Sequence, residues 1–177
     1  MPIDLLYNPQ IFAEKLFNIM SGKSEKYQHK LVYMGLIARV IWRHQLILLP
    51  FYRSLIKYLE PKQKDVSQVL IALAESIHDL VPEDEIEAII KHIIEHFVND
   101  RCSEYTMTIG LNTLREVFKK MPSIITEEMM LYLATYYEYK NKNVSRAAKS
   151  LINFVKEYNP MLLEKKYRGN DRGGDDD

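Results

Sequence analysis

Apolar residues recur at intervals of three and four along nearly the whole chain, and no segment alternates apolar with polar residues in a sustained way. That regularity confines the fold to helices. Asn8 is placed to cap a first helix with Pro9 at its opening position, Phe12, Leu16 and Ile19 on one face, and Gly22 as its stop. A second helix is expected from about Glu25 to His44, with Leu31, Met34, Ala38 and Ile41 inward. A third carries Phe51, Leu55 and Leu59, with Pro50 in its first turn because a proline deeper inside would break it. Pro61 is expected to open a fourth, striped with Val66, Val69, Leu70, Leu73 and Ile77 and ending near Val81. Pro82 starts a fifth, with Ile86, Ile90, Ile93 and Phe97 on one side. The turn NDRCS then leads into a sixth bearing Met107, Leu111, Leu114 and Phe118, closed by Pro122. Thr126 caps a seventh, with Met130, Leu133 and Tyr137 along a face. The eighth begins near Asn143, carries Val144, Ala147, Ala148, Leu151, Ile152 and Val155, and stops at Asn159-Pro160.

Eight helices joined by short turns make four antiparallel pairs. The first buried positions of the second helices, Leu31, Val66, Met107 and Val144, stand 35, 41 and 37 residues apart, close to the ~40–47-residue period of helical-pair solenoids. The fold class expected is therefore all-α, a HEAT/armadillo-like α-solenoid of about four helix pairs; the alternative is a non-repetitive bundle. Small Ala147 and Ala148 let two helices approach closely, and Gly110 holds the matching place one pair earlier. A chain of 177 residues fits one domain with a sizeable core. That domain is expected over 1–168, with 169–177, Gly-rich and acidic, as a disordered tail.

The one cysteine, Cys102, allows neither an internal disulfide nor a multi-thiolate metal site, which suits a reducing compartment. MPIDLLYNPQIF has no basic flank followed by an apolar run, and charge-free stretches such as LVYMGLIA fall well short of ~18 residues. No signal peptide or membrane span is expected. The six glycines form no phosphate-cradling loop.

His92-Ile93-Ile94-Glu95-His96 matches the H-x-x-E-H pattern of inverted zinc peptidases. Two histidines four apart share a helix face and could chelate Zn²⁺, with Glu95 as base. However, an apolar stripe centred on Ile86, Ile90, Ile93 and Phe97 leaves His92 and Glu95 on the opposite, solvated side, and no downstream segment offers a third ligand. No catalytic residue, metal or cofactor is expected. Cys102 lacks a base placed against it and reads as a structural thiol. Asp100 and Arg101 read as turn residues that bond locally.

The formal net charge is zero, but the charges are segregated. From Glu75 to Glu104 nine acids face two bases, net −7; from Lys140 to Arg168 eight bases face two acids, net +6. Lys142, Arg146 and Lys149 fall at spacings of four and three on one helix face. With Lys140 before them and Lys165, Lys166 and Arg168 beside Tyr167 after them, they form a basic-aromatic stretch suited to RNA phosphates and base stacking. A second basic patch, Arg39, Arg43, Arg53 and Lys57, lies near Trp42 and Tyr52. The alternative for both is an ordinary solvated face. In the first helix, Phe12 and Phe17 lie nearly opposite on the wheel, which predicts that one is exposed to a partner or a self-contact.

Six strings in register carry a resemblance: HQLILLPFY (His44 to Tyr52), EPKQKDV (Glu60 to Val66), HDLVPE (His78 to Glu83), FVNDRCSEYTMTIGLNTLRE (Phe97 to Glu116), YKNKNV (Tyr139 to Val144) and NPMLLEKKYRG (Asn159 to Gly169). Over about residues 8–169 the chain resembles the severe-depolymerization-of-actin family. That resemblance implies a helical-repeat scaffold, not an enzyme, in the nucleus and nucleolus. It implies a part in large (60S) ribosomal subunit biogenesis and export, with pre-60S particles (rRNA, ribosomal proteins and assembly factors) as partners and no small-molecule substrate or membrane. A protein-only adaptor for transport or actin cytoskeleton organisation is the alternative. The family is usually several times longer, and has Gln where this chain has Glu60 and Asp where it has Asn141.

Overall fold

The computed structural model describes residues 8–169; the expectation for the acidic tail falls, apart from Gly169, outside them. Among the described residues there are eight α-helices and no strand. They are α1 (Pro9–Met20), α2 (Tyr27–His44), α3 (Leu49–Ile56), α4 (Val66–Ser76), α5 (Glu83–Phe97), α6 (Glu104–Lys120), α7 (Glu127–Leu133) and α8 (Lys142–Tyr158). Short 3₁₀ turns occupy Pro122–Ile124, Ala134–Tyr136, Pro160–Leu162 and Lys165–Tyr167. The chain gathers into two compact units, divided between Cys102 and Ser103, and each is described by itself.

In the N-terminal unit, α1 starts as its sequence dictates: the Asn8 side chain accepts from the Ile11 N–H at 3.2 Å and Pro9 takes the first position, where its missing N–H costs nothing. The buried face differs from the expected one. Ala13, Leu16 and Met20 turn inward against α2, whereas Ile19 is 44% exposed. Choosing small Ala13 over Phe12 brings the two helices closer, and both Phe12 and Phe17 end half-buried instead of one being exposed. Helix α2 buries Leu31, Met34, Ile37, Ala38 and Ile41 and ends where Gln45 adopts a left-handed conformation (φ 52°).

Pro50 lies in the first turn of α3, as its ring requires. Pro61 does not open α4. Residues 57–65 form an irregular loop, the chain enters the helix only after left-handed Asp65 (φ 54°), and α4 stops at Ser76, before Ile77 and Val81. Those two residues are buried nonetheless, as are Val66, Val69, Leu70 and Leu73. Helix α5 opens with Glu83, Asp84 and Glu85, three carboxylates at the positive end of its dipole. Helix α1 packs on α2, α2 on α4, and α3 on α5. Second helices thus stack on second helices and first on first, as neighbouring repeats do.

In the C-terminal unit, Ser103 caps α6 through the Thr106 N–H, and Thr126 caps α7 through the Met129 N–H. Asn141 caps α8 twice over, accepting from Asn143 N–H (2.9 Å) and Val144 N–H (3.2 Å). Helices α6 and α8 are the packed pair. Met107, Gly110, Leu111, Leu114 and Phe118 are buried on one, Val144, Ala147, Ala148, Leu151, Ile152 and Val155 on the other. Truncating a fully buried member such as Leu151 to Ala should cost roughly 2–5 kcal/mol. Helix α7 is shorter than the periodicity suggested: after Leu133 it tightens into the 3₁₀ turn Ala134–Tyr136, which leaves Tyr137 half-exposed instead of in the core. The four positions that set the repeat spacing, Leu31, Val66, Met107 and Val144, are all buried.

Candidate nucleic-acid and partner interface

The basic stretch of the C-terminal unit is organised by tyrosines. Helix α8 carries Lys142, Arg146 and Lys149, all exposed, on one face. After Asn159 two 3₁₀ turns fold the chain back, anchored by buried Leu163 and by the Tyr167 hydroxyl, which donates to the Ala134 carbonyl at 3.3 Å. This brings the Tyr167 ring to 5.1 Å from the Tyr137 ring, tilted by 54°. The Lys149 ammonium sits 5.2 Å from the Tyr137 centroid and the Lys166 ammonium 5.1 Å from that of Tyr167. Two cations far apart in sequence thus flank one aromatic pair, each held by cation–π attraction. Tyr137 is fixed from behind, where its carbonyl accepts from the Ser145 hydroxyl at 2.8 Å.

The other predicted cations are distributed around this cluster. Lys140, Lys142 and Lys165 are exposed. Arg146 faces a polar hollow of about 360 Å³ against α6, lined also by Thr108, Asn112, Arg115, Asn143 and Ser150. Arg168 is half-buried, and its Nε donates to the Leu163 carbonyl at 2.8 Å, so it braces the turn rather than offering a free fork. Among the described residues no ion pair takes up Lys142, Arg146, Lys149, Lys165 or Lys166. Three participants were not identified from the sequence. Tyr137 reads in the sequence only as one of three residues along the face of the seventh helix. Arg115, whose Nη1 donates to Ser150 Oγ at 2.6 Å, stands beside Arg146 in the hollow. Lys156 lies against Gly169, whose φ of +87° and lack of a Cβ make room for it: a Cβ there would meet Lys156 Cε and Nζ at 2.6 Å.

The second basic patch is built differently. Arg39 and Arg43 are exposed on α2, with Arg39 Nε turned back to the Gly35 carbonyl at 3.3 Å. Arg53 stands on α3, which packs on α5, and Lys57 follows directly after its last turn. Arg53 is clamped by Glu85, Nη2 to Oε1 at 2.6 Å and Nε to Oε2 at 3.4 Å. The hydrogen bond and charge of Glu85 raise the Arg53 pKa, and the bond from Arg53 lowers that of Glu85. Tyr52 is no stacking surface: it is fully buried and its hydroxyl donates to the Ser76 carbonyl at 2.9 Å. Burial pushes that phenol up to about 12.

The H-x-x-E-H segment also departs from expectation. His92 is not solvated; its side chain is 18% exposed and its Nε2 donates to the Leu59 carbonyl at 2.7 Å. Its ring stacks on His96 at 4.1 Å. The carboxylate that approaches both rings comes from upstream: Glu60 Oε1 lies 3.6 Å from His92 Nε2, and Oε2 3.5 Å from His96 Nδ1. Glu95, the would-be base, is exposed. The Cys102 thiol donates to the His96 carbonyl at 3.1 Å, which agrees with a structural role, and the Arg101 N–H bonds locally to Asn99 Oδ1 at 2.9 Å. No described helix is long and apolar enough to cross a membrane.

Residues 1–140 match the family model described as SDA1, HEAT repeat. Over its whole length the chain is 42% identical to the Protein SDA1 homolog of Caenorhabditis elegans, covering 22% of the nematode protein. It is 41% identical to the Protein SDA1 homolog of Drosophila melanogaster and 37% to Protein sda1 of Schizosaccharomyces pombe, in each case over 94% of this chain and 24% of the relative. The chain thus spans less than a quarter of the length of these relatives, and the basic face from Lys142 onward follows the family-model match but falls within the nematode alignment. With helices stacked first on first and second on second, the chain belongs to the SDA1 family and is built of its HEAT repeats.

Proposed function

We propose that the chain is a non-catalytic helical-repeat scaffold that works in large ribosomal subunit biogenesis and export, in the nucleus and nucleolus. It docks on pre-60S particles, and its basic C-terminal face meets rRNA. Membership of the SDA1 family supports the process, and one observation supports the docking face: Lys149 and Lys166 flank the Tyr137–Tyr167 pair, and no carboxylate among the described residues pairs with either ammonium. Ammonium groups attract phosphates and release their counterions, while a tyrosine ring accepts any base by stacking. The surrounding Lys142, Lys165 and Arg146 extend the positive field along the backbone of a strand. A HEAT array suits the task because repeats present an extended surface to several partners at once.

A second reading is a protein-only adaptor for transport or actin cytoskeleton organisation, favoured by a groove of about 430 Å³ where exposed Leu131 and Met161 lie between Glu127, Glu128 and Glu164. Affinity purification of the tagged chain at low and high salt separates the two. Docking on RNA predicts recovery of large-subunit precursor rRNA and assembly factors, lost steeply as ionic strength rises. Recovery of proteins alone, held at high salt, favours the adaptor. Recovery of neither rRNA nor large-subunit factors overturns the proposed function.

A further inference from the structure

The N-terminal unit holds a cluster that the scaffold reading leaves unused. His92 and His96 project from consecutive turns of α5, and Glu60 reaches them from the loop 57–65. One donor atom from each lies within 4.8 Å of the others. We propose that Glu60, His92 and His96 form a binding site for a divalent transition metal of the zinc class, which ties the loop 57–65 to α5.

Three observations carry this. The first is spacing. A tetrahedral ion with bonds of about 2.0–2.1 Å keeps its ligand atoms roughly 3.3 Å apart. One donor atom from each residue lies within 4.8 Å of the others, and the carboxylate faces both rings, Oε1 at 3.6 Å from His92 Nε2 and Oε2 at 3.5 Å from His96 Nδ1. Closing the site requires side-chain rotations of Glu60 and the two imidazoles toward a common point, with no change of backbone. The second is the donor set. Two imidazoles and one carboxylate suit a borderline ion such as Zn²⁺, whereas Ca²⁺ and Mg²⁺ prefer all-oxygen sites. The third is charge: the segment from Glu75 to Glu104, which contains both histidines, carries nine acids against two bases, and such a field concentrates cations near its surface.

One neighbouring contact must be exchanged. The Leu59 carbonyl can only accept, so its bond at 2.7 Å places the His92 proton on Nε2. Metal binding moves that proton to Nδ1, gives the Nε2 lone pair to the ion, and breaks the bond to Leu59, a cost the metal bonds must exceed. No net proton or electron transfer is required. Three protein ligands leave a fourth position for water. Exposed Glu95 is outside the donor set, so the site is assigned to holding the loop and not to peptidase chemistry.

Calorimetric titration of the untagged 177-residue chain with ZnCl₂ tests the site, with Co²⁺ absorption as a readout of coordination and thermal unfolding as a readout of the tie. Expected are one equivalent bound with micromolar or tighter affinity, an intense visible Co²⁺ band of tetrahedral type, and a rise of several degrees in Tm. Glu60→Gln and His96→Ala, both at partly exposed side chains, should leave the metal-free Tm nearly unchanged and weaken binding at least tenfold. Absence of stoichiometric binding overturns the proposal and leaves an ordinary ion-pair cluster. Equal affinity in both variants overturns it too, since the metal would then sit elsewhere.

Discussion

The stretch from Arg39 to Lys57 and the stretch from Lys140 to Arg168 are both basic and both contain aromatic residues, yet the fold uses them in opposite ways. In the N-terminal unit the tyrosine goes to the core and one guanidinium is clamped by a carboxylate: Tyr52 is fully buried, and Arg53 holds Glu85 in a two-point contact. In the C-terminal unit the tyrosines stay half-exposed and hold cations over their faces, with Lys149 on Tyr137 and Lys166 on Tyr167. Composition does not separate these outcomes. The separating variable is what faces each side chain from the neighbouring helix: an acid-rich first turn of α5 in one case, and in the other a returning segment that itself carries lysines.

The largest expected contrast is in RNA affinity. Changing Lys142, Lys149, Lys165 and Lys166 together to Gln should weaken binding of a single-stranded RNA by several hundredfold at about 0.1 M salt, because each phosphate contact contributes roughly 0.7 of a decade per decade of salt. The parallel change of Arg39, Arg43 and Lys57 should alter affinity less than threefold. Filter binding or fluorescence anisotropy measures both, and equal losses would erase the distinction between the stretches.

Next in size is the alkaline limb of stability. The Tyr52 phenol is raised from 10.0 to about 12 by burial, so above pH ~10 the unfolded chain loses its proton first. The stability linked to this group is fully present below pH 10 and falls as pH rises toward 12, by about 3 kcal/mol in all. Tyr52→Phe should remove that pH-dependent loss, at a cost near 1 kcal/mol at neutral pH for the missing bond to Ser76. Urea unfolding between pH 8 and 12 checks both. Tyr167→Ala, in contrast, should spare the core and weaken RNA binding about tenfold through lost stacking, a value within the ~1–3 kcal/mol typical per base.

The smallest effect belongs to the ion pair. Glu85→Gln should leave RNA affinity within twofold and lower Tm by no more than about 2 °C, since exposed pairs contribute little. Because Arg53 depresses the Glu85 pKa, the difference between wild type and variant should be present at neutral pH and disappear in acid, as pH falls through that lowered value.

Much of the fold was legible because helix punctuation is local. Asn8-Pro9, Thr126 and Asn159-Pro160 act through the backbone of adjacent residues, and each boundary lies where those residues place it. Pro61 failed as a start signal because the loop it sits in is set by contacts from outside, among them the Tyr27 hydroxyl on the Lys64 carbonyl at 2.8 Å. The face of α1 was misplaced for a similar reason: a wheel ranks residues by apolarity, whereas close approach to α2 rewards small Ala13. The basic residues of the C-terminal unit were visible as a charge run, but their tyrosine partners were not. The Tyr137–Tyr167 contact joins residues thirty positions apart through a 3₁₀ turn that periodicity does not reveal. Glu60 escaped for the same reason, since only the fold sets it beside His92 and His96.

The central claim is that the Lys149–Tyr137–Tyr167–Lys166 face docks RNA by phosphate neutralisation and stacking. Its most direct test is the salt dependence of affinity for a single-stranded RNA, compared between wild type and the four-lysine variant. The expected plot of log affinity against log salt falls more steeply for wild type than for the variant, which keeps Arg146, by about 3 in slope, from about 0.7 per contact over the four lysines. A flat line for wild type, or the same steep slope in both proteins, would contradict the claim.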